Sequence, residues 1–219
     1  MTQAHTQTLV EKYALPPDDI ERLSFQLIES MIPPLGFTPG EREVVRRIVH
    51  STGDPGVAPL VTMHPQAVEA GVAAIRRGAT IFADVTMVIA GISKPTAERF
   101  GCALRSAIAD PGVAIRAKEW GVTRSIAAMR YFGHDMDGQI VAVGNAPTAL
   151  LALLDMVDAG EVRPALIVGM PVGFVASSEA KEELIKRDVP FISVRGYRGG
   201  SPSTVAAINA LFQLAGRGE

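Results

Sequence analysis

The feature that most constrains this chain is a strand–turn–helix pattern that recurs without pause between Gln139 and Arg195. QIVAVGNAPTALLALLDMV carries a strand-like run (Ile140, Val141, Ala142, Val143) into Gly144-Asn145-Ala146-Pro147 and then into an apolar helix. ALIVGMPVGFVASSEAKEELI repeats the pattern, and FISVRG supplies a third strand. Short apolar strands alternating with helices predict parallel βα units. In such sheets ligands bind beyond the carboxyl ends of the strands. The turns GNAPT, GMPVGFVASSE and RGYRGGSPST then fall along one edge, and chemistry is expected there.

The 219 residues suit one α/β domain, with a frayed segment over 1–15, N-terminal helices over 16–53 and a βα core over 79–215. A net charge of −2 argues against a general nucleic-acid binder. The lone Cys102 excludes an intramolecular disulfide and suits a reducing cytoplasm. The N-terminus lacks the apolar core of a signal peptide, and no apolar run reaches membrane-spanning length. A cytoplasmic protein is expected.

Upstream, Pro16-Pro17-Asp18-Asp19 opens a helix with proline and acid where the first turn favours them. Ile20, Leu23, Leu27 and Ile28 form its apolar stripe, and Ser24 shares that stripe. Such a serine either bonds back to a helical carbonyl or turns its hydroxyl to a ligand. A second helix starts at Pro39-Gly40-Glu41, buries Val44, Val45, Ile48 and Val49, and closes at Gly53 in a left-handed cap. His50 lies in its last turn, where the helix dipole favours positive charge while Arg46 and Arg47 oppose it. A surface histidine and a catalytic acid are both compatible with that position.

A segment around Leu60-Val61-Thr62 reads as an edge strand, and His64 to Gly78 as a helix. ATIFAD reads as a buried strand with Asp84 and Thr86 at its exit; Asp84 either caps the next turn or serves a site. Lys94-Pro95-Thr96 begins a short helical piece, and CALRSAIA reads as strand or extended chain ending in the turn Asp110-Pro111-Gly112. Thr123 caps a helix over TRSIAAMRY, whose first turn holds Arg124 against the dipole unless an anion lies nearby. The loop GHDMDG carries only a fragment of a metal-loop pattern and is discounted.

At the core turns, Asn145 reads as a helix cap or a site residue, and Pro171, Gly173 and Phe174 form an unusual apolar bend. Glu179 and Lys181 read by default as a first-turn acid and an exposed base. Arg195, Arg198, Gly199, Gly200 and Ser201 surround a helix start; this is either a flexible turn with a Ser-Pro helix start or, as favoured, an anion site of glycine amides beside two cations. GxGxxG, the Walker loop, HExxH, CxxC and GxSxG are all absent. The residues by themselves thus imply an α/β protein with a strand-end site for a small anionic ligand.

The turns VGNAPTAL, GMPVGFV with SSEAKEEL, and RGYRGGSPSTVAAINAL closely resemble those of the precorrin-8X (cobalt-precorrin-8) methylmutases of cobalamin biosynthesis. RRIVHSTGD, ATIFADVTMVIAGIS and TRSIAAMRYF resemble the same family in the same order, so the likeness runs from about Ile20 to Leu211. The resemblance implies a three-layer α/β fold of flavodoxin-like type with a mostly parallel sheet, working as a homodimer. It implies an isomerase that moves a methyl group from C11 to C12 of a tetrapyrrole without a cofactor. His50 matches the family's general acid, and Ser24 and Arg124 match positions that face the substrate. Thr86 after the Asp84 strand and Tyr197-Arg198 before the double glycine depart from some relatives. Arg195, Arg198, Lys181 and the helix starts would then meet the substrate's carboxylates, while Met170, Val172 and Phe174 meet its apolar faces. Asp84, Thr86, Asn145, Pro171, Gly173, Glu179, Gly199, Gly200 and Ser201 complete the candidate substrate contacts. Partners expected are the tetrapyrrole and other enzymes of its pathway. A corrinoid carrier that does no chemistry, and a flavodoxin-like enzyme holding a nucleotide phosphate on the RGG turn, are the competing classes.

Overall fold

A computed structural model describes residues 8–14 and 16–217. Most of the segment expected to be frayed, residues 1–7 and 15, lies outside these; within it, Leu9–Tyr13 forms a short helix, α1. Two longer helices follow, α2 over Pro17–Met31 and α3 over Pro39–Thr52. The central sheet and its crossovers then run β1 (Val61–Met63), α4 (Ala67–Arg76), β2 (Ile81–Ala83), α5 (Thr86–Gly91), α6 (Lys94–Arg99) and β3 (Leu104–Arg105). Next come α7 (Pro111–Glu119), α8 (Arg124–Phe132), β4 (Ile140–Val143) and α9 (Pro147–Asp158). The chain closes with β5 (Leu166–Gly169), α10 (Ser177–Ile185), β6 (Phe191–Val194) and α11 (Ser201–Gly216).

The strands lie in the order β1-β6-β5-β4-β2-β3. From β3 to β6 all pairings are parallel, and the order is that of flavodoxin-like sheets. β1 is added antiparallel at the far edge, with Val61 opposite Val194. Alternate strand residues face two separate cores. Ile81, Ala83, Ile140, Ala142, Leu166 and Val168 pack on one side with α3, α4 and α11. Phe82, Val141, Val143, Ile167 and Phe191 pack on the other with α7, α8 and α9. Parallel strands covered on both faces are nearly all apolar, as in β4, β5 and β6, which are buried at every residue; the one polar side chain among them, Ser193, donates to the Gly169 carbonyl at 2.6 Å.

The left-handed end of α3 is as its sequence predicts, and its start carries a cap not read from the sequence. Thr38 and Glu41 form a reciprocal capping box, and Gly53 ends the helix at φ 62°. Val44, Val45, Ile48 and Val49 are fully buried, each stabilising the fold by about 1.5–3 kcal/mol. Elsewhere the readings need correction. In α2 the buried side chain is Phe25, with Ile32 buried just past the helix end, while Ile20 and Leu27 are half exposed, because among the described residues this helix packs mainly against α3. CALRSAIA contributes only the two residues of β3, and α7, which shows little amphipathic contrast, was not read as a helix. Asp135 and Asp137 of the discounted loop engage Arg105 and the Arg163 amide.

Candidate active site

Antiparallel β1 sets the geometry of the site. Since it runs against β6, its start lies beside the end of β6, where the Arg195 amide donates to the Leu60 carbonyl at 2.8 Å. The turn that links α3 to β1 is thereby drawn to the carboxyl edge of the sheet. His50, in the last turn of α3, arrives with it.

Two adjoining hollows meet at this turn. The larger, about 830 Å³, is lined by Asp54, Leu60, Val172, Phe174, Tyr197 and Arg198, together with Thr52, Val57, Arg195, Gly196 and Gly199. The smaller, about 240 Å³, holds His50 and Ser24 with Leu27, Ile28, Met31 and Val49, and is closed by Gly53 and Pro55. Residues 52–55 form the wall between the two. The exposed imidazole of His50 meets the edge of Phe25 with ring centroids 5.2 Å apart. Arg46 and Arg47 lie over that same ring, and their charge is met by Glu43 at 2.5 Å and Glu21 at 2.6 Å. The Ser24 hydroxyl donates to the Ile20 carbonyl at 2.7 Å, which leaves its lone pairs to the pocket. The back-bonded reading of that serine is thus the observed one, in a side chain that also lines the pocket.

The apolar bend is the most exposed part of the edge. Phe174 is 85% exposed and Val175 84%, and Phe174 leans on the Tyr197 ring at 5.4 Å. Ala176 behind them adopts a left-handed φ of 59°, a conformation that costs a residue with a Cβ about 1–2 kcal/mol. Ser177 braces the bend by donating to the Pro171 carbonyl at 2.8 Å. Gly173, at φ 148°, donates its amide to the Tyr197 carbonyl, so the second and third turns are joined by backbone. Gly199 needs its lack of a side chain, since a Cβ there would stand 2.4 Å from the Met170 carbonyl oxygen.

The cations are arranged otherwise than the sequence suggests. Lys181 is a correction: it is fully buried, not exposed, and its Nζ donates to the Arg198 carbonyl at 2.6 Å. Burial pulls its ammonium down to about 8, with the nearby Glu182 acting the other way. It braces the 197–200 turn and has no surface to offer a ligand. Arg198 reaches back to the Gly56 carbonyl at 3.0 Å and to Asp54 at 3.3 Å. Arg195 pairs with Glu182 at 2.6 Å. Both pairs are exposed, so an incoming carboxylate can exchange with them at little cost.

Asp84 is the second correction. It is 1% exposed, and its carboxylate accepts from the amides of Gly144, Asn145 and Ala146, so it meets no ligand directly. Burial pushes its carboxyl above the usual carboxylate range, against the opposing pull of the three amide bonds. The amides after Gly144 are thus already used, and that helix start does not offer them to a substrate. Asn145 does not cap α9, since Ala146 holds the cap position; its side chain is exposed at the edge. Thr86 is exposed at the start of α5, and Arg124 at the start of α8. Thr123 and Thr148 touch through their hydroxyls at 3.3 Å, which brings the starts of α8 and α9 together and places Arg124 near the first turn. Glu179 is exposed in the first turn of α10, and Ser201 is buried at the start of α11 beside Gly200, whose amide donates to Met170.

Of the sequence-predicted residues, then, His50 and Ser24 share one pocket, and Phe174, Arg195, Arg198 and Gly199 line the adjoining cavity. Pro171, Gly173, Gly200 and Ser201 are framework for that cavity. Thr86, Arg124 and Asn145 sit further along the same edge and line neither hollow. Phe25 and Asp54 were missed; the sequence signal for Asp54 was the Asp-Pro-Gly turn after the histidine helix.

The family model described as CbiC, precorrin-8X methylmutase, matches residues 19–214. The chain belongs to that family. It is 43% identical over 202 residues to the cobalt-precorrin-8 methylmutase of Priestia megaterium, covering 92% of this chain and 90% of the relative. It is 41% identical over 197 residues to the precorrin-8X methylmutase of Pseudomonas aeruginosa, covering 88% and 93%. The solved precorrin-8X methylmutase of Thermus thermophilus superposes with a TM-score of 0.85 at 43% identity, over 92% of this chain and 97% of that one. As a methylmutase the protein is an isomerase of cobalamin biosynthesis, and the carrier and nucleotide-enzyme readings fall away. Among the described residues no helix is long and apolar enough to cross a membrane.

Proposed function

We propose that the protein moves the C11 methyl group of precorrin-8X, or of its cobalt-bearing counterpart, to C12, with His50 as the general acid. The observation that carries this is the shared pocket of His50 and Ser24, opening beside a cavity with apolar walls and two exchangeable arginines. The imidazolium of His50 donates its proton to the nitrogen of the five-membered ring that carries C11 and C12. The ring system becomes electron-poor, and the methyl migrates from C11 to C12 with its bonding pair. Release of the same proton to the imidazole leaves an isomer of the starting material, so no oxidant, reductant or group donor is needed. General acid catalysis of this kind contributes about 10²–10⁴-fold. Positioning of the macrocycle supplies the rest.

The remaining contacts follow the chemistry of the edge. Phe174, Tyr197 and Val172 meet the macrocycle face, and Arg195 and Arg198 leave Glu182 and Asp54 for substrate carboxylates. Arg124, Asn145 and Thr86 take carboxylates on the far side of the ring. The enzyme works in the cytoplasm as a homodimer, passing its product to other enzymes of the pathway. Replacing His50 by alanine removes the acid alone: product formation, followed by the change in the absorption spectrum, should stop while the product still binds. Turnover at the parent rate would refute the assignment.

A further inference from the structure

In a sheet ordered like this one the chain reverses direction between β2 and β4, and the crevice outside those two strand ends is where such folds take their ligand. Amides at the start of the following helix ordinarily grip the ligand's anionic group there. This chain builds that cradle. Three successive amides, of Gly144, Asn145 and Ala146, converge at the start of the twelve-residue α9. The cradle is nevertheless full. Asp84 Oδ1 accepts from Gly144 at 2.9 Å, and Oδ2 accepts from Asn145 at 2.9 Å and Ala146 at 2.8 Å. The carboxylate is 1% exposed, and none of the ion pairs among the described residues involves it. A buried charge of this kind needs full hydrogen bonding, and the amides with the positive end of the α9 dipole provide it.

We propose that Asp84 is a built-in anion, filling the amide cradle that this fold class otherwise opens to a ligand's phosphate or carboxylate, and that it is thereby the positioning residue for the Gly144–Ala146 turn. Its part in catalysis runs through what that turn presents, the exposed Asn145 side chain and the start of α9 beside Arg124; this much rests on the reading that those residues meet the tetrapyrrole. The filled cradle also turns away small anions, and the large cavity lies elsewhere, on the β5–β6 side of the edge. The turn is clamped from outside as well. A Cβ on Gly144 would come within 2.9 Å of both Ser201 Cα and Val88 Cγ2, so removing the carboxylate shifts the turn without dismantling the cradle.

That last property makes the inference testable by refilling. In Asp84→Ala, sodium formate should enter the vacated cradle and move the amide resonances of Gly144, Asn145 and Ala146 in a saturable manner, while the parent protein shows no such response. The variant should lose on the order of 10²-fold in kcat/KM, the cost of a turn misplaced by about an ångström. Saturating formate should restore a measurable part of it. Amides that do not respond to formate, or a variant that keeps the parent kcat/KM, would overturn the proposal. Should Asp84→Ala not fold, Asp84→Asn decides: it keeps the volume but turns one acceptor into a donor facing an amide, and unchanged amide shifts with parent KM and kcat would overturn it equally. The formate titration is read without turnover, so it stands or falls independently of the role of His50.

Discussion

The close approach of the third turn to the second can be tested at one residue. Gly199 lies at φ 141°, and a Cβ there would meet three backbone atoms: the Met170 oxygen at 2.4 Å, the Met170 carbonyl carbon at 3.1 Å and the Pro171 oxygen at 3.2 Å. No rotamer relieves such an overlap, so the backbone itself must move in Gly199→Ala. Strain at that dihedral costs about 1–3 kcal/mol. The displacement adds about 1–3 kcal/mol. It also lengthens the neighbouring bond from the Gly200 amide to the Met170 carbonyl, which is 2.7 Å in the intact turn. A loss of about 4 kcal/mol in a chain of this size lowers Tm by about 8–16 °C. Gly53→Ala is the comparison, since Gly53 has a φ of 62° but nothing within 4 Å of its would-be Cβ. Only the dihedral penalty applies there, about 1–2 kcal/mol. Thermal unfolding of the two variants beside the parent decides the matter. A Gly199→Ala protein as stable as Gly53→Ala would refute the argument from backbone overlap.

Other expectations follow from the same contacts. Because burial holds Lys181 at about 8 while an unfolded chain leaves it near 10.5, the unfolded state binds more protons between those values. Stability of the parent relative to Lys181→Met should therefore rise with pH across that window, by up to about 3 kcal/mol, as read from denaturant unfolding at a series of pH values. A flat difference would show the ammonium to be normally solvated. Phe174→Ala should leave Tm unchanged within about 1 °C, because the side chain is 85% exposed, yet weaken binding of the corrin product. Equal affinity in a fluorescence or absorbance titration would remove Phe174 from the site. Arg124→Ala, which breaks no ion pair among the described residues, should weaken tetrapyrrole binding with little change in stability, and an unchanged titration would remove it from the site.

Much of the molecule is determined locally, and that part is legible in the sequence alone. Pro39, Glu41 and Gly53 mark the two ends of α3 because helix ends are set within one turn of chain, so the place of His50 in the last turn needed no structure. The β4–β6 units are equally plain, since strands buried on both faces are nearly all apolar, Ser193 being the one polar side chain among the three. The ordered family motifs carried the activity, and the family match agrees with them.

What only the tertiary structure decided is which polar groups meet across long separations in sequence. Asp84 lies sixty residues before the amides it holds, and nothing near it in the chain distinguishes it from an ordinary turn cap. Lys181 sits in EAKEELI, a helix that reads as solvated, yet the 197–200 turn folds over it and takes its proton donor. Likewise Ile20 and Leu27 of the stripe read for α2 are half exposed while Phe25, outside that stripe, is buried, because α3 packs on the Phe25 side with Arg46, Arg47 and His50 at its ring. Periodicity and capping are properties of neighbouring residues; the partner of a buried charge is chosen by the meeting of distant turns at the edge of a sheet.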